Sequence, residues 1–332
     1  MRNVKLISIT HTDLDGVGSS SLYIRNTKPE SYKVIFVEPY QLLKAVKSIA
    51  KSDESFDELV ITDIGPNAST IKEVERALEK ISREKGARIR WFDHHIWNNE
   101  WKDDLIKQGV DLRVDENHCA TEVVYRNLNT DDIFSYMLSK SVCSADLWIF
   151  NDWAAPFLVR FVGNGRGKKW LEYVHSIFVK SPSFETLIEA SKNKAVEVFD
   201  REIELMGFYR EKAEDINIEG IKLTFVFKSH NDLSTSMLAQ YLMSVRNSDI
   251  VVVVDKRGKY EFRSKKCNVR EIAFKLGGGG HPEASGAPFP SFLTLLMKMK
   301  LYGLAIDLAK KKFLNTVKEV SCIPFNVIKK EI

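Results

Sequence analysis

The hydrophobic and polar positions of the first hundred residues alternate between short apolar runs and longer stretches with helical spacing. The apolar runs have the length of buried strands and cover residues 4–10, 34–37, 59–62 and 87–92. Between them, residues 41–51 and 68–85 place apolar side chains three and four positions apart, which predicts amphipathic helices. Strands alternating with helices in this way are typical of a doubly wound, mainly parallel α/β sheet.

Polar residues follow three of these strands directly. His11-Thr12-Asp13-Leu14-Asp15-Gly16 follows the first strand, Asp63 the third, and Asp93-His94-His95 the fourth. Right-handed crossovers place the carboxyl ends of parallel strands at one edge of the sheet, where ligands collect. We therefore expect these acidic and imidazole side chains to lie together.

A single aspartate after a strand is more often a turn or a helix cap than a ligand. A cluster of them is different, because two carboxylates about 4 Å apart repel by about 4 kcal/mol at an effective dielectric near 20. A cation removes this repulsion. Carboxylate and imidazole ligands without a thiolate suit manganese, magnesium or iron better than structural zinc, and a pair of ions suits phosphoryl displacement.

One more acid is needed to complete a second metal position. Asp146 directly follows a packed run of small and apolar residues and is the favoured candidate, with Asp152 as the alternative. In the segment between the fourth strand and Asp146, Thr121 is a plausible helix cap. For the neighbouring His118 a structural role is the better interpretation.

The second half of the chain has a different organisation. Residues 183–214 have helical spacing and predict one or two linking helices, and 221–228, 250–255 and 259–264 predict strands. A helix at 269–276 then ends in Gly277-Gly278-Gly279-Gly280-His281. Read alone, consecutive glycines indicate either a flexible turn or a close approach of the backbone, whose N–H groups could bind phosphate. Together with Arg263, they predict a patch for a sugar-phosphate backbone. The tail from Ser291 predicts a packed helical cap, with dimerisation or partner docking as the alternative.

Composition sets limits on the class of protein. A chain of 332 residues with 44% hydrophobic and 28% charged residues suits two soluble globular domains, and a net charge of +4 does not demand an anionic partner. The four cysteines form no CxxC pair, which argues against a zinc site or a disulfide framework and favours a reducing compartment. No apolar run is long enough for a signal segment or a membrane span, so we expect a cytoplasmic protein without membrane contact.

In this order, the motifs resemble those of the DHH phosphoesterase superfamily, in the branch with a DHH-associated C-terminal domain. The branch includes RecJ-like exonucleases, nanoRNases and cyclic-dinucleotide phosphodiesterases, and the form His-Thr-Asp-Leu-Asp-Gly looks most like archaeal members. The resemblance covers nearly the whole chain. It implies a catalytic metal-binding domain at residues 1–185, a helical linker at 186–216 and a nucleic-acid-binding domain at 217–332.

The resemblance also implies roles for single residues. His11 and Asp13 would bind one Mn²⁺ ion, with Mg²⁺ possible, and Asp63 would bridge to a second ion held by Asp15, His94 and Asp146. In catalysis, His95 would touch the scissile phosphate and Asp93 would orient a histidine. The predicted substrate contacts are Arg263, Gly278, Gly279, Gly280 and His281.

The expected activity is therefore a two-metal phosphodiesterase that hydrolyses short or single-stranded RNA or DNA as an exonuclease or oligoribonuclease. One alternative is a phosphatase acting on small nucleotides such as 3′-phosphoadenosine 5′-phosphate. Another is a non-catalytic module that binds nucleic acid or a replication complex. The expected partner is an oligonucleotide, and the chain could form a homodimer.

Overall fold

The computed structural model describes residues 4–128, 130–165 and 167–320, which form two compact units that divide between Val198 and Phe199. The strands of the first unit are β1 (Lys5–Thr10), β2 (Ser31–Phe36), β3 (Glu58–Thr62), β4 (Arg88–Asp93) and β5 (Asp111–Val114). They form one sheet in the spatial order β2-β1-β3-β4-β5, and every pair is parallel. The predicted α/β class with a mainly parallel sheet is confirmed.

Helices cover both faces of this sheet. They are α1 (Leu14–Thr27), α2 (Leu42–Lys51), α3 (Ile71–Lys85), α4 (Asn99–Lys107), α5 (Ala120–Asn127), α6 (Ile133–Asp146), α7 (Ala155–Gly163) and α8 (Lys168–Lys180). Alternate residues of the strands face opposite sides, so that Val60 joins the core beneath α1 and α5–α8, while Leu59 and Ile61 join the core beneath α2–α4. Burial on both faces is why these strands appear in the sequence as continuous apolar runs.

The second unit contains a mixed sheet. Its strands are β6 (Glu214–Ile218), β7 (Ile221–Lys228), β8 (Ile250–Asp255), β9 (Lys259–Ser264), β10 (Gly279–Gly280) and β11 (Ala284–Pro288). The spatial order is β10-β11-β9-β8-β7-β6, and only β7 and β8 pair in parallel among these described strands. The predicted second α/β domain is therefore present.

The helices of the second unit are α10 (Thr235–Val245), α11 (Val269–Lys275), α12 (Ser291–Lys298) and α13 (Tyr302–Val320). Leu293 of α12 and Phe313 of α13 are fully buried in the core beneath the sheet, so the tail is a packed helical cap as predicted. A single long helix, α9 (Phe184–Lys212), occupies most of the predicted linker, and the division between the units falls inside it.

The cysteines correct one expectation. Cys119, directly before α5, and Cys143 on α6 form a disulfide, with their Cα atoms 5.1 Å apart. The sequence argument depended on the absence of a CxxC pair, but these residues are 24 positions apart and meet only because α5 and α6 pack together. Cys322 lies outside the described residues. Within the described residues, none of the helices combines the length and the apolar character needed to cross a membrane.

Candidate metal centre

The carboxyl ends of β1, β3 and β4 bring the predicted acidic and imidazole residues together at one edge of the first sheet. We call this edge the rim, and its residues are His11, Asp13, Asp15, Asp63, His94, His95 and Asp146. They form three groups in which the nitrogen and oxygen atoms lie within 4.8 Å of one another, as metal ligands do. The groups are His11 with Asp13 and Asp63, Asp15 with His94 and Asp146, and Asp63 with His94 and His95.

The turn between β1 and α1 places two of the acids. Asp13 caps α1, since its Oδ1 accepts a hydrogen bond from the Gly16 N–H at 3.0 Å. A Cβ atom on Gly16 would lie 2.4 Å from the carbonyl oxygen of His11, so only glycine allows the first turn of α1 to lie against the end of β1. This tight turn brings both acids to the rim, Asp13 in the first group and Asp15 in the second.

The first group surrounds Nδ1 of His11. This atom lies 2.9 Å from Oδ2 of Asp13 and 3.5 Å from Oδ2 of Asp63. Asp63 adopts a positive φ of 56°, a region that aspartate tolerates better than most residues. Its N–H still donates to the carbonyl of Phe92 at 3.0 Å, so the backbone remains attached to β4 while the chain turns away from the sheet.

The second group surrounds Nε2 of His94. This atom lies 3.4 Å from Oδ1 of Asp63, 3.7 Å from Oδ2 of Asp146 and 3.8 Å from Oδ2 of Asp15. Asp63 therefore contacts both histidines, one with each carboxylate oxygen. Asp63 belongs to the first group and also reaches His94 of the second, so the two groups could hold two neighbouring ions.

The start of α5 holds Asp15 in place. The Asp15 carboxylate, which is buried, accepts hydrogen bonds from the N–H groups of Ala120 and Thr121 at 2.7 and 2.8 Å, and from the Thr121 hydroxyl at 2.6 Å. The sequence analysis treated Thr121 as a helix cap, but Cys119 occupies the cap position. Thr121 is the second residue of the helix, and its hydroxyl binds the acid instead.

The two candidates for the last acid have different surroundings. Asp146 is the last residue of α6 and faces His94. The carboxylate of Asp152 accepts hydrogen bonds from the Ser141 hydroxyl at 2.6 Å and the Ala154 N–H at 2.9 Å. Asp152 thus holds the segment after α6 in place, and the geometry favours Asp146 for the rim.

His95 depends on a buried acid from the same strand end. Asp93 is completely buried, and its two oxygens accept hydrogen bonds from different rings: Oδ1 lies 2.8 Å from Nδ1 of His95, and Oδ2 lies 2.6 Å from Nε1 of Trp97. His118 lies apart from the three groups and pairs with Asp115 at 2.8 Å, a structural arrangement.

The electrostatics of the rim favour a cation. Burial, reinforced by the charges of Asp13 and Asp15, holds the pKa of Asp63 well above its ordinary range. Burial and the charge of Asp15 raise the pKa of Asp146 to about 7. Burial alone would lower the pKa of His11, but its contacts with Asp13 and Asp63 outweigh this and raise the pKa to about 11. Without a metal ion, protons must compensate the crowded acids.

The donor atoms fit a divalent ion. Oδ2 of Asp63 is buried and has no hydrogen-bond partner among the described residues, although it faces His11. A buried carboxylate oxygen without a partner is costly, and a metal ion would satisfy it. The groups offer only carboxylate oxygens and imidazole nitrogens, which suit manganese or magnesium.

The second unit brings its predicted residues together at one end of its sheet. Arg263 on β9 pairs with Ala284 on β11, whose carbonyl accepts the His281 N–H at 2.8 Å. The Arg263 guanidinium donates to the Ser236 hydroxyl and to the Phe262 carbonyl. His281 is exposed to solvent.

The four glycines approach the protein's own backbone. A Cβ atom on Gly278 would lie 2.0 Å from the carbonyl oxygen of Gly286, and one on Gly280, whose φ is 136°, would lie 2.7 Å from the carbonyl oxygen of Ala284. The N–H groups of Gly277 and Gly278 donate to carbonyls of α11. The expected close approach is therefore to β11 and α11, which leaves fewer N–H groups for a phosphate than the sequence suggested.

Residues 220–319 match the family described as the DHHA1 domain, which covers β7 to α13 and the glycine segment. The second unit of this chain therefore carries a DHHA1 domain. The resemblance seen in the sequence is confirmed. No curated protein matches the chain.

Solved structures share the fold of this chain. The pGpG-specific phosphodiesterase PggH from Vibrio cholerae aligns with a TM-score of 0.53 and 13% identity over 91% of this chain and 98% of its own. Exonuclease RecJ bound to manganese aligns with a TM-score of 0.53 and 14% identity over 92% of this chain and 90% of its own. RecJ in complex with Mn²⁺ from Thermus thermophilus aligns with a TM-score of 0.52 and 12% identity over 92% of this chain but 52% of its own.

Sequence reasoning missed one residue beside the rim. Glu38 directly follows Val37, and its carboxylate lies 3.4 Å from Nε2 of His11 and accepts a hydrogen bond from the Thr12 hydroxyl at 2.6 Å. The signal was available, because Glu38 follows the predicted strand 34–37 just as Asp63 and Asp93 follow theirs.

Proposed function

We propose that this protein is a two-metal phosphodiesterase that hydrolyses short or single-stranded nucleic acid. The observation that carries the proposal is the arrangement of two ligand groups around one carboxylate, Asp63, which contacts His11 through one oxygen and His94 through the other. A shared carboxylate is what a bridged pair of ions requires.

In this proposal, His11 and Asp13 would hold one ion, Asp15, His94 and Asp146 would hold the other, and Asp63 would serve both. When bound, the ions would supply Lewis-acid activation of the phosphate and of the attacking water. Mn²⁺ is the proposed ion, and Mg²⁺ offers the same chemistry. The manganese-bound RecJ structure supports this choice by likeness of fold.

His95 is proposed to contact the scissile phosphate. Its ring is half exposed, while Asp93 beneath it is fully buried, so the acid fixes the ring through Nδ1 and leaves Nε2 accessible. An imidazole N–H aimed at a non-bridging oxygen would stabilise the charge that develops there. Asp93 would keep His95 in this orientation.

The substrate class is inferred from the second unit. Arg263, the glycine segment and the exposed His281 are proposed to bind the sugar-phosphate backbone of an oligonucleotide, with the arginine supplying the charge. The pGpG-specific phosphodiesterase and the exonuclease RecJ, which share the fold, act on substrates of this chemical kind according to their names. We extend that class, and not a particular substrate, to this chain.

One experiment tests both the reaction and the substrate. The protein is incubated with Mn²⁺ and with 5′- and 3′-labelled RNA and DNA of two to five nucleotides, 24-mers, duplex DNA, pyrophosphate and 3′-phosphoadenosine 5′-phosphate. We expect a ladder of mononucleotide products from the short and single strands, absent in EDTA and in a D63N variant.

Other outcomes would overturn the proposal in different ways. Hydrolysis of pyrophosphate or of the small bisphosphate alone would replace the proposed substrate and leave the metal centre intact. Tight binding of single strands with no hydrolysis in Mn²⁺ or Mg²⁺ would favour the non-catalytic module.

A further inference from the structure

Glu38 lies beside the first ligand group although no motif includes it. Strand β2 runs alongside β1, with Phe36 opposite Thr10, and the Val37 N–H donates to the Thr10 carbonyl at 2.9 Å. Continued by two residues, this register sets Glu38 level with Thr12, so the Glu38 side chain lies within reach of both Thr12 and the adjacent His11. Neighbouring parallel strands thus fix Glu38 against the imidazole.

The carboxylate of Glu38 is held from two sides. Oε1 accepts the Thr12 hydroxyl at 2.6 Å, and Oε2 lies 3.4 Å from Nε2 of His11. The backbone N–H of Glu38 donates to the Gln41 side chain at 2.9 Å. One oxygen is therefore anchored by a neighbour of His11 while the other meets its ring.

The two nitrogens of His11 have different surroundings. Nδ1 faces Asp13 and Asp63, the acids of the first ligand group, whereas Nε2 faces Glu38. A neutral imidazole carries one N–H and one lone pair, and the hydrogen bond at one nitrogen decides which atom offers the lone pair. Metal-binding histidines usually donate their second N–H to a carboxylate or carbonyl.

We infer that Glu38 is a positioning residue for His11: it accepts the Nε2–H and thereby leaves the Nδ1 lone pair directed at the metal position. The inference rests on the proposed function, since it assumes that His11 is a ligand. His94 presents its other nitrogen, Nε2, to its own group of acids. The two histidines would therefore bind through different ring nitrogens.

The test measures Mn²⁺ affinity rather than activity, by the EPR signal of the free ion during titration. Wild-type protein is compared with H11A, E38A and E38Q. The glutamine keeps an oxygen that accepts the Nε2–H but lacks the charge. The matched control is E54Q, since Glu54 is exposed to a similar degree and pairs with Lys33 away from the rim.

We expect E38A to weaken the affinity of one of two sites by about 10- to 100-fold, the loss typical of removing a carboxylate behind a ligating histidine. E38Q should retain part of that affinity, and E54Q should match wild type. Equal losses in E38A and E38Q would mean that Glu38 acts through its charge alone and would overturn the positioning role. Wild-type affinity in E38A, with a loss in H11A, would overturn it as well.

A spectroscopic measurement gives an independent result. In Mg²⁺-loaded protein with ¹⁵N-labelled histidine, NMR should show His11 with its proton on Nε2. A proton on Nδ1 would contradict the inference whatever the affinities are. If wild-type protein binds no Mn²⁺ at all, the proposed function itself fails. Thermal melting of each variant distinguishes a protein that has lost its fold from one that is folded but binds Mn²⁺ weakly. E38Q is the milder change and keeps the test valid if E38A does not fold.

Discussion

The carboxylates at the rim of the first unit crowd around one another, whereas the polar groups around the glycine segment of the second unit already have partners in the protein. Asp63 keeps a buried oxygen without a hydrogen-bond partner among the described residues, and its pKa is raised well above the ordinary range. Arg263 donates to Ser236 and Phe262, and Gly278 donates to Ala273. Buried polar groups without a hydrogen-bond partner in the protein indicate a binding site for a ligand. Polar groups that already have partners in the protein indicate a structural role.

The largest effect should follow from removing the shared carboxylate. The variant D63N keeps the shape of the side chain, and asparagine tolerates the positive φ of this position, so the fold should persist. We expect Mn²⁺ affinity and the rate of hydrolysis to fall by more than about 100-fold. Replacing a residue that merely hydrogen-bonds to a metal ligand already lowers affinity or activity by up to about that factor.

Thermal melting of D63N provides the control. Because the wild-type acid is buried and raised in pKa, metal-free D63N should melt at or above the wild-type temperature, and Mn²⁺ should no longer raise it. A metal-free D63N that melts far below wild type would show that Asp63 is structural, and the contrast between the two regions would be lost.

The two acids after α6 should separate metal binding from folding. D146N should lose at least about 10- to 100-fold in Mn²⁺ affinity, because Asp146 faces His94, and should keep its melting temperature. D152A should lose stability, because Ser141 and Ala154 lose their acceptor, and should keep its affinity for Mn²⁺ once folded. Calorimetry and Mn²⁺ titration of both variants decide the assignment, and the reverse pattern would assign the ligand to Asp152.

A buried histidine away from the rim gives a contrast in pH dependence. His175 is buried against Phe36 and Ser20, and burial lowers its pKa from 6.5 to about 4. The folded state therefore binds its proton more weakly than the unfolded state does. Its contribution to stability is complete above pH 6.5 and is lost as the pH falls towards 4, by up to about 3 kcal/mol.

Denaturant unfolding in EDTA at pH 7.5 and 4.5 measures this loss. The variant H175Q does not titrate, so its stability should fall less than that of wild type across this range. If both proteins lose the same free energy, the burial of His175 does not govern the pH dependence.

Much of this arrangement could be predicted from the sequence because it depends on local order. Parallel strands buried on both faces give continuous apolar runs, and the residues that follow them meet at the rim, which is why His11, Asp63 and His94 were found. The contacts that depend on packing between distant segments were not predictable. Asp15 is held by Thr121, more than a hundred residues away, and Cys119 meets Cys143 only because two helices pack together.

The glycine segment shows the opposite error. Its composition suggested a ligand, but a run of glycines looks the same in the sequence whether its close neighbour is a phosphate or another strand. Only the pairing of β10 with β11 identifies the neighbour. Glu38 was missed for a different reason, because its strand-end position was visible while its contact with His11 depends on the register of β1 and β2.

Two alanine variants test whether the glycines are structural. G278A would place a Cβ atom 2.0 Å from the Gly286 carbonyl oxygen and should destabilise the protein by about 1–3 kcal/mol, as overpacking does. G279A would meet only Phe274, at 3.6 Å, and should change stability by no more than about 0.5 kcal/mol. Denaturant unfolding of both variants measures the difference. Equal stability of the two variants would contradict the interpretation that Gly278 is needed for its close approach to β11.

The smallest effect concerns Arg263, whose role should appear in substrate binding alone. Burial lowers the pKa of its guanidinium, which still stays charged at neutral pH. R263A should weaken oligonucleotide binding by about tenfold and reduce the salt dependence of log K by about one unit, as the loss of one phosphate contact does. Mn²⁺ affinity should not change. R263K keeps the charge and should preserve the salt dependence, while S236A controls for the lost hydroxyl contact. A fall in Mn²⁺ affinity in R263A would mean that the two regions are not energetically separate, because a change confined to the second unit would then reach the ligands of the first.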